Sequence, residues 1–195
     1  MAQQIEIEFK NLLTKQQYEV LLNAFSIEDS QIHRQINHYF DTPTQHLKNL
    51  SSGLRIRIME TEIECTLKEK SAEHQHLETT DIMNEKQAEA MLNGKGIEAP
   101  SVTQRLNTLQ VPMQLLSCFG TLTTDRVEIP YKGGLLVFDH SFYLHCDDYE
   151  VEYETTDELD GQSVFEQFLQ QFNIEKQKTP KKIARFMNAL QKQKG

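Results

Sequence analysis

Gln4-Ile5-Glu6-Ile7-Glu8-Phe9-Lys10 decides how the rest of the chain is read, because it alternates without a break. In a β-strand successive side chains point to opposite faces, so Ile5, Ile7 and Phe9 share one face and Glu6, Glu8 and Lys10 share the other. Two carboxylates two residues apart on a strand stand about 7 Å apart at the backbone, close enough for their side chains to converge on one metal ion or a close pair. Taken alone, the stretch reads more simply as a half-buried strand with a solvated charged face. What separates the two readings is how often the pattern recurs.

It recurs along the whole chain. Leu54-Arg55-Ile56-Arg57-Ile58 alternates with both arginines on one face, and Ile63-Glu64-Cys65-Thr66-Leu67-Lys68 returns after a turn at 60–62 with Glu64, Thr66 and Lys68 together. His74–Asp81 places His76, Glu78 and Thr80 on one face. Thr121–Tyr131 carries Thr124, Arg126 and Glu128, Lys132-Gly133-Gly134 signals a hairpin, and Leu135–His140 returns with Asp139. Phe142–Cys146 continues or ends that strand, Asp147-Asp148 reads as a turn, and Tyr149–Glu154 sets Glu150, Glu152 and Glu154 on one face. With Gln35–Asp41, ended by Thr42-Pro43, this makes about eight strands, mostly in hairpin order, and an antiparallel sheet.

Helices fill the intervals. Thr14-Lys15-Gln16-Gln17 opens as a capping box, and Tyr18, Leu21, Leu22 and Phe25 follow helical spacing. Asn84–Asn93 is a helix closed by Gly94; Ser101–Leu109 and Pro112–Phe119 read as short helices; a polar loop precedes Ser51-Ser52-Gly53. One late helix starts near Asp160 and buries Val164, Phe165, Phe168, Leu169 and Phe172. The last opens at Thr179-Pro180, buries Ile183, Phe186, Met187 and Leu190, and presents Lys181, Lys182 and Arg185. No repeat, linker or domain break interrupts residues 1–195, so a single domain is expected.

The strand charges are sorted. Glu6 and Glu8 with Glu150, Glu152 and Glu154 are acidic; Arg55 and Arg57, Lys68 and Arg126 are basic. The opposite strand faces are aliphatic and need covering by amphipathic helices. A closed barrel of about eight strands solves this, with the charges turned inward and the apolar faces under helices. Uncompensated buried ions cost several kcal/mol each, so such a lumen must pair its charges, stay wet or hold ligands. Carboxylates hold hard divalent cations, and arginine and lysine hold phosphate oxygens. Together they suit a metal-bound polyphosphate. The expected fold is α+β, mainly β: an eight-stranded antiparallel β-barrel tunnel with a charged interior, flanked by amphipathic helices.

These motifs resemble the CYTH family, the triphosphate tunnel metalloenzymes, over nearly the whole chain. Glu6-x-Glu8-x-Lys10 is similar to its N-terminal signature, Tyr39-Phe40-Asp41-Thr42-Pro43 to its second strand, Leu54-Arg55-Ile56-Arg57 to its paired-arginine strand and Thr66-Leu67-Lys68 to its lysine strand. Arg126, Asp139, Tyr149–Glu154 and Lys182-Ile183-Ala184-Arg185 complete the order. His76-Leu77-Glu78 stands where the family commonly has Arg-x-Glu, and a neutral imidazole is a poorer phosphate clamp. Lys181 stands where a serine often precedes the final lysine. The resemblance implies a tunnel that acts on triphosphates with Mg²⁺ or Mn²⁺. It implies metal ligation by Glu6, Glu8, Glu78, Asp139, Glu150, Glu152 and Glu154. It implies triphosphate binding by Lys10, Arg55, Arg57, Lys68, Arg126, Lys182 and Arg185, and catalytic roles for Glu8 and Lys68, the latter as a clamp or a base. Hydrolysis of inorganic tripolyphosphate or an organic triphosphate is the leading expectation. Class IV-type adenylyl cyclase chemistry and a noncatalytic polyphosphate or nucleotide sensor are the alternatives.

Composition narrows the classes. A net charge of −9, from 29 acidic and 20 basic residues, speaks against nonspecific nucleic-acid binding. No signal peptide or bilayer-length apolar run is present, so no membrane is expected and the cytoplasm is the expected compartment, where Cys65, Cys118 and Cys146 would be free thiols. There is no GxxxxGK[ST] loop and no zinc-like Cys/His array; His74-x-His76 has a spacing open to a transition metal but reads first as an exposed strand or loop pair. The partner expected is a small-molecule triphosphate, and the sequence does not specify an oligomeric state.

Overall fold

The computed structural model describes residues 3–194. Its strands are β1 (Gln3–Leu13), β2 (His33–Asp41), β3 (Ser52–Ile58), β4 (Ile63–Lys70), β5 (Gln75–Met83), β6 (Ser117–Tyr131), β7 (Gly134–Tyr143) and β8 (Cys146–Thr155). They close into an antiparallel barrel in the order β1-β5-β4-β3-β2-β6-β7-β8. The helices are α1 (Lys15–Ala24), α2 (His46–Asn49), α3 (Glu85–Leu92), α4 (Pro100–Thr108), α5 (Glu158–Gln171) and α6 (Lys182–Lys194). Among the described residues no helix is long and apolar enough to cross a membrane.

The chain forms two compact units. One holds Gln35–Thr121 with the chain up to Ile5; the other holds Glu6–Arg34 and everything from Leu122 onward. In the first unit, alternate residues of the strands (Phe40, Leu54, Ile56, Cys65, Leu67 and Met83) pack with Ala88 and Met91 of α3, Val102 and Leu106 of α4 and Leu47 of α2. In the second, Ile7, Phe9, Val127, Leu136, Phe138, Val151 and Tyr153 pack with Tyr18 and Leu21 of α1 and with Val164, Phe165, Phe168 and Leu169 of α5. Within each unit helices thus cover the apolar strand faces, and the charged residues of the strands lie on the opposite faces. Ile5, two residues before Ile7 on the same strand, is left uncovered: it lies 67% exposed, outside either cluster.

Local chemistry sets the boundaries. Thr14 Oγ1 accepts from the Gln17 amide at 3.2 Å and Gln17 Oε1 accepts from the Thr14 amide at 2.8 Å. Asn84 and Gln87 repeat this reciprocal cap on α3 at 3.0 and 2.9 Å. The β6–β7 hairpin turns at Lys132 (φ 44°) and Gly133 (φ 83°), the left-handed pair that matches strand twist. Gly161 lets α5 close on the sheet, since a Cβ there would run into Thr155 and Phe9.

Four expectations need correction. The loop before Ser51 contains α2, whose Leu47 and Lys48 amides are capped by the Asp41 carboxylate at 2.9 and 3.1 Å. Pro112–Phe119 is not a helix. Only Met113–Leu115 makes a 3₁₀ turn, and Leu116 is already extended as the chain enters β6. Asp147 and Asp148 are not a turn; the reversal comes earlier, at Leu144 (φ 54°), and the two aspartates pair in register with Phe142 and Ser141. Thr179-Pro180 does not open the last helix. Thr179 Oγ1 accepts the Leu12 amide at 3.0 Å, and the Lys181 carbonyl accepts from Ala184 and Arg185 at 2.9 and 3.0 Å.

Candidate active site

The second unit carries the denser half of the charges. Strand register fixes them: Arg126 lies opposite Asp139, Asp139 opposite Glu150, Glu152 opposite Lys10, and Glu154 opposite Glu8. Cross-strand partners point to the same face, so β1, β6, β7 and β8 pool their ions. Glu8, Arg126, Asp139, Glu150 and Glu152 are all buried, Asp139 and Glu150 completely.

The ions are paired throughout this group. Arg126 forks onto Asp139 at 2.8 and 2.7 Å and reaches Glu152 Oε2 at 3.1 Å. Lys10 Nζ lies 2.6 Å from Glu8 and 3.1 Å from Glu152. Lys182, projecting from α6, lies 2.8 Å from Asp139, 2.7 Å from Glu150 and 2.9 Å from Glu152. Arg185, one turn on, forks onto Asp148 at 2.8 and 3.0 Å and reaches Glu150 Oε2 at 2.5 Å.

Charge states follow from this packing. Burial disfavours the Lys10 ammonium, yet Glu152, Glu8 and Glu150 outweigh it and raise its pKa well above the usual lysine value. Burial likewise opposes the Glu152 carboxylate, but Lys10 and Lys182 hold it well below the ordinary range. Asp139 is lowered despite burial by Arg126 and Lys182. Glu150 goes the other way. Complete burial raises it to about 7, with the neighbouring Glu152 adding to burial against the opposing pull of Lys182 and Lys10.

The first unit is the more basic half. Arg55 lies opposite Tyr39 and Thr66; Arg57 lies opposite Asn37 and Glu64; Lys68 lies opposite Glu78. Arg57 Nε donates to Asn37 Oδ1 at 3.0 Å, the Thr66 and Thr80 hydroxyls meet at 3.0 Å, and Lys68 Nζ stands 3.2 Å from Glu78. Burial opposes the Glu78 charge, but Lys68 and Arg55 lower its pKa. His76 is 3% exposed, so the His74-x-His76 stretch is not an exposed pair.

Every metal or triphosphate ligand expected from the sequence therefore lies on a strand of the barrel or on α6. In the second unit Lys10, Arg126 and Lys182 converge on Glu8, Asp139, Glu150 and Glu152; Arg55, Arg57, Lys68 and Glu78 belong to the first unit. Asp148, Tyr143 and Asn37 were missed. Parity could have found Asp148, which continues Glu150, Glu152 and Glu154 back by one step.

The donor set suits a small divalent cation. Carboxylate oxygens are the hard ligands that Mg²⁺ and Mn²⁺ favour, and the Lys10 ammonium already stands as a positive charge among Glu8, Glu150 and Glu152, the Glu150 oxygen at 3.9 Å. Glu8 and Glu154, paired in register, extend the acidic group along β1 and β8.

Comparison with known proteins adds a second line. The model of the CYTH domain matches residues 4–187. A Bacillus subtilis (strain 168) protein named "Putative triphosphatase YjbK" is 40% identical over 192 residues, 98% of this chain and 99% of its own. A crystal structure from Bacillus halodurans, described as "a putative adenylate cyclase", is 37% identical with a TM-score of 0.91, over 95% of this chain and 99% of its own. The Hippeastrum protein HpAC1, described as having a dominant triphosphatase activity, shares the fold with a TM-score of 0.79 at 22% identity, over 95% of each chain.

Proposed function

The chain belongs to the CYTH domain family, and from that premise we propose that it is a divalent-metal-dependent hydrolase of triphosphate-containing substrates, inorganic tripolyphosphate or an organic triphosphate. The observation that carries the reading is the convergence of three cations, Lys10, Arg126 and Lys182, on Glu152, a carboxylate only 4% exposed. A solvated surface does not bury so many ions together, and an anion binder gains nothing from acidic strands unless a cation joins it.

We assign Lys10, Arg126 and Lys182 in the second unit, and Arg55, Arg57 and Lys68 in the first, to triphosphate oxygens. Glu6, Glu8, Glu152 and Glu154 would hold the metal, with Glu78, Asp139 and Glu150 completing the acidic set. When bound, the metal supplies charge neutralisation on phosphate oxygens and a water of lowered pKa. The protein's own part is positioning and charge. Arg126, fixed by its fork on Asp139, is pre-oriented. Lys10, kept protonated by its carboxylates, stabilises charge developing on the phosphoryl group. Lys68, held by Glu78, serves as a phosphate clamp.

A second reading, ATP cyclisation, is favoured by one observation, the name of the Bacillus halodurans relative. Incubation with tripolyphosphate and, separately, ATP, each with Mg²⁺, Mn²⁺ or EDTA, discriminates the two. Metal-dependent orthophosphate release is the expected result. Cyclic AMP with pyrophosphate would move the assignment to the cyclase. Metal-dependent binding without turnover of either compound would make the chain a sensor.

A further inference from the structure

Arg185 sits on α6 beside Lys182, and its guanidinium is almost fully engaged by the protein. Arginine offers five N–H donors. Here Nε and Nη2 fork onto Asp148 at 2.8 and 3.0 Å, and Nη1 donates to the Pro180 carbonyl at 2.6 Å and faces Glu150 Oε2 at 2.5 Å. Asp148 is itself held by the Tyr143 hydroxyl, which donates to its Oδ2 at 2.6 Å. Arg185 is 9% exposed, so these bonds lie out of competing water.

Elsewhere on α6 the apolar burial is concentrated at one position. Phe186 is its one fully buried apolar side chain among the described residues and meets the Tyr143 ring at 6.1 Å; Ile183, Met187 and Leu190 are half-buried. None of its residues joins the apolar cluster of the second unit. Yet Lys182, one turn before Arg185, must be placed closely enough to touch Asp139, Glu150 and Glu152 at once.

We infer that Arg185 is not a triphosphate ligand but a positioning residue, and that Asp148, locked by Tyr143, is the anchor through which it docks α6 on β7 and β8 and so sets Lys182 in the site. This rests on the triphosphatase reading only for its kinetic consequence. The two alternatives for Arg185 predict opposite behaviour of Asp148. If Arg185 bound phosphate, Asp148→Ala would release its guanidinium and leave substrate affinity equal or better. As an anchor pair, Asp148→Ala and Arg185→Ala should weaken tripolyphosphate binding alike, each raising KM about tenfold, and the double variant should be no worse than either single.

The first readout needs no activity. Amide hydrogen exchange on the metal-free full chain should accelerate across α6 by about tenfold or more in Asp148→Ala and Arg185→Ala, non-additively, with β7 and β8 still protected. Tyr143→Phe, which removes one hydrogen bond and no charge, should show the same pattern more weakly. Asp148→Glu should restore part of the protection. Unchanged α6 exchange in Asp148→Ala, or additive effects in the double variant, would overturn the anchor whether or not tripolyphosphate is hydrolysed. An Asp148→Ala enzyme with undiminished tripolyphosphate affinity beside a weakened Arg185→Ala would return Arg185 to the substrate.

Discussion

Lys10 and Lys182 share one carboxylate oxygen: their ammonium nitrogens stand 3.1 and 2.9 Å from Glu152 Oε1. One lysine comes from β1 and the other from α6, so elements far apart in the sequence meet at a single buried anion. The other oxygen of Glu152 takes Arg126 at 3.1 Å. Glu152→Gln therefore leaves three cations, one buried and two half-buried, short of a counter-charge. In EDTA at pH 8, urea unfolding should show a loss on the order of 3–5 kcal/mol relative to wild type. A change within about 0.5 kcal/mol, as at ordinary surface sites, would mean that these ions are solvated in solution.

Glu8 makes a complementary case. It is buried, its oxygen contacts Lys10 at 2.6 Å, and it lies opposite Glu154. Glu8→Gln keeps the shape but removes the charge a divalent ion needs. Metal-dependent turnover of tripolyphosphate should fall at least ~100-fold, and Mn²⁺ titrated calorimetrically into the variant should bind more weakly. Full activity with unchanged Mn²⁺ affinity would take Glu8 out of the metal set.

Glu150 gives the metal-free protein a distinctive pH dependence. Its folded-state pKa of about 7 lies above the ordinary 4.5, chiefly through burial. Below about pH 4.5 it is protonated in both states and its full contribution to stability is present. As the pH rises through 7 the folded protein must give up a proton from a buried site, and that contribution is lost. Gln at this position mimics the protonated form. In EDTA, wild type should lose stability relative to Glu150→Gln between pH 4.5 and 8, on the order of 3 kcal/mol. A flat difference, or one of opposite sign, would mean that Lys182 and Arg185 hold Glu150 ionised.

The strict alternation of Glu6-Ile7-Glu8-Phe9 and of Arg55-Ile56-Arg57 made the barrel legible, because one face of each strand had to be covered and the other had to be neutralised. The capping box of Thr14 was legible for a similar reason, since partner and donor lie three residues apart. What escaped depended on distant partners. Asp148 looked like a turn residue until β7 paired with it and Arg185 reached it across 37 positions. Thr179-Pro180 carried the sequence of a helix start, but the Leu12 amide, 167 positions away, claimed the threonine hydroxyl. Short polar segments such as His46–Asn49 hold little periodicity, and the cap that makes this one helical comes from Asp41, outside it.

Phe168 tests the packing of the second unit. It is fully buried on α5, with ring centroids of Phe172 at 5.0 Å, Tyr131 at 5.8 Å and Phe25 at 6.3 Å. Truncation would leave a cavity walled by rings that cannot easily collapse. Phe168→Ala should cost about 3–5 kcal/mol in chemical denaturation. A loss below about 1 kcal/mol would show that the aromatic cluster rearranges to fill the space.

Lys68 separates electrostatics from proton transfer. Its ammonium stands 3.2 Å from Glu78, an anion lowered by Lys68 and Arg55, so the pair is built to hold charge in place. Arginine retains that charge and cannot act as a base at any working pH. If Lys68 clamps phosphate, Lys68→Arg should keep kcat on tripolyphosphate within about tenfold of wild type, while Lys68→Ala should raise KM about tenfold or more. If Lys68 takes the proton from the attacking water, Lys68→Arg should lose at least ~100-fold in kcat with KM nearly unchanged, and the pH–rate profile should lose its acidic limb. The Glu78 contact favours the first outcome, because a base tied to a carboxylate is harder to deprotonate.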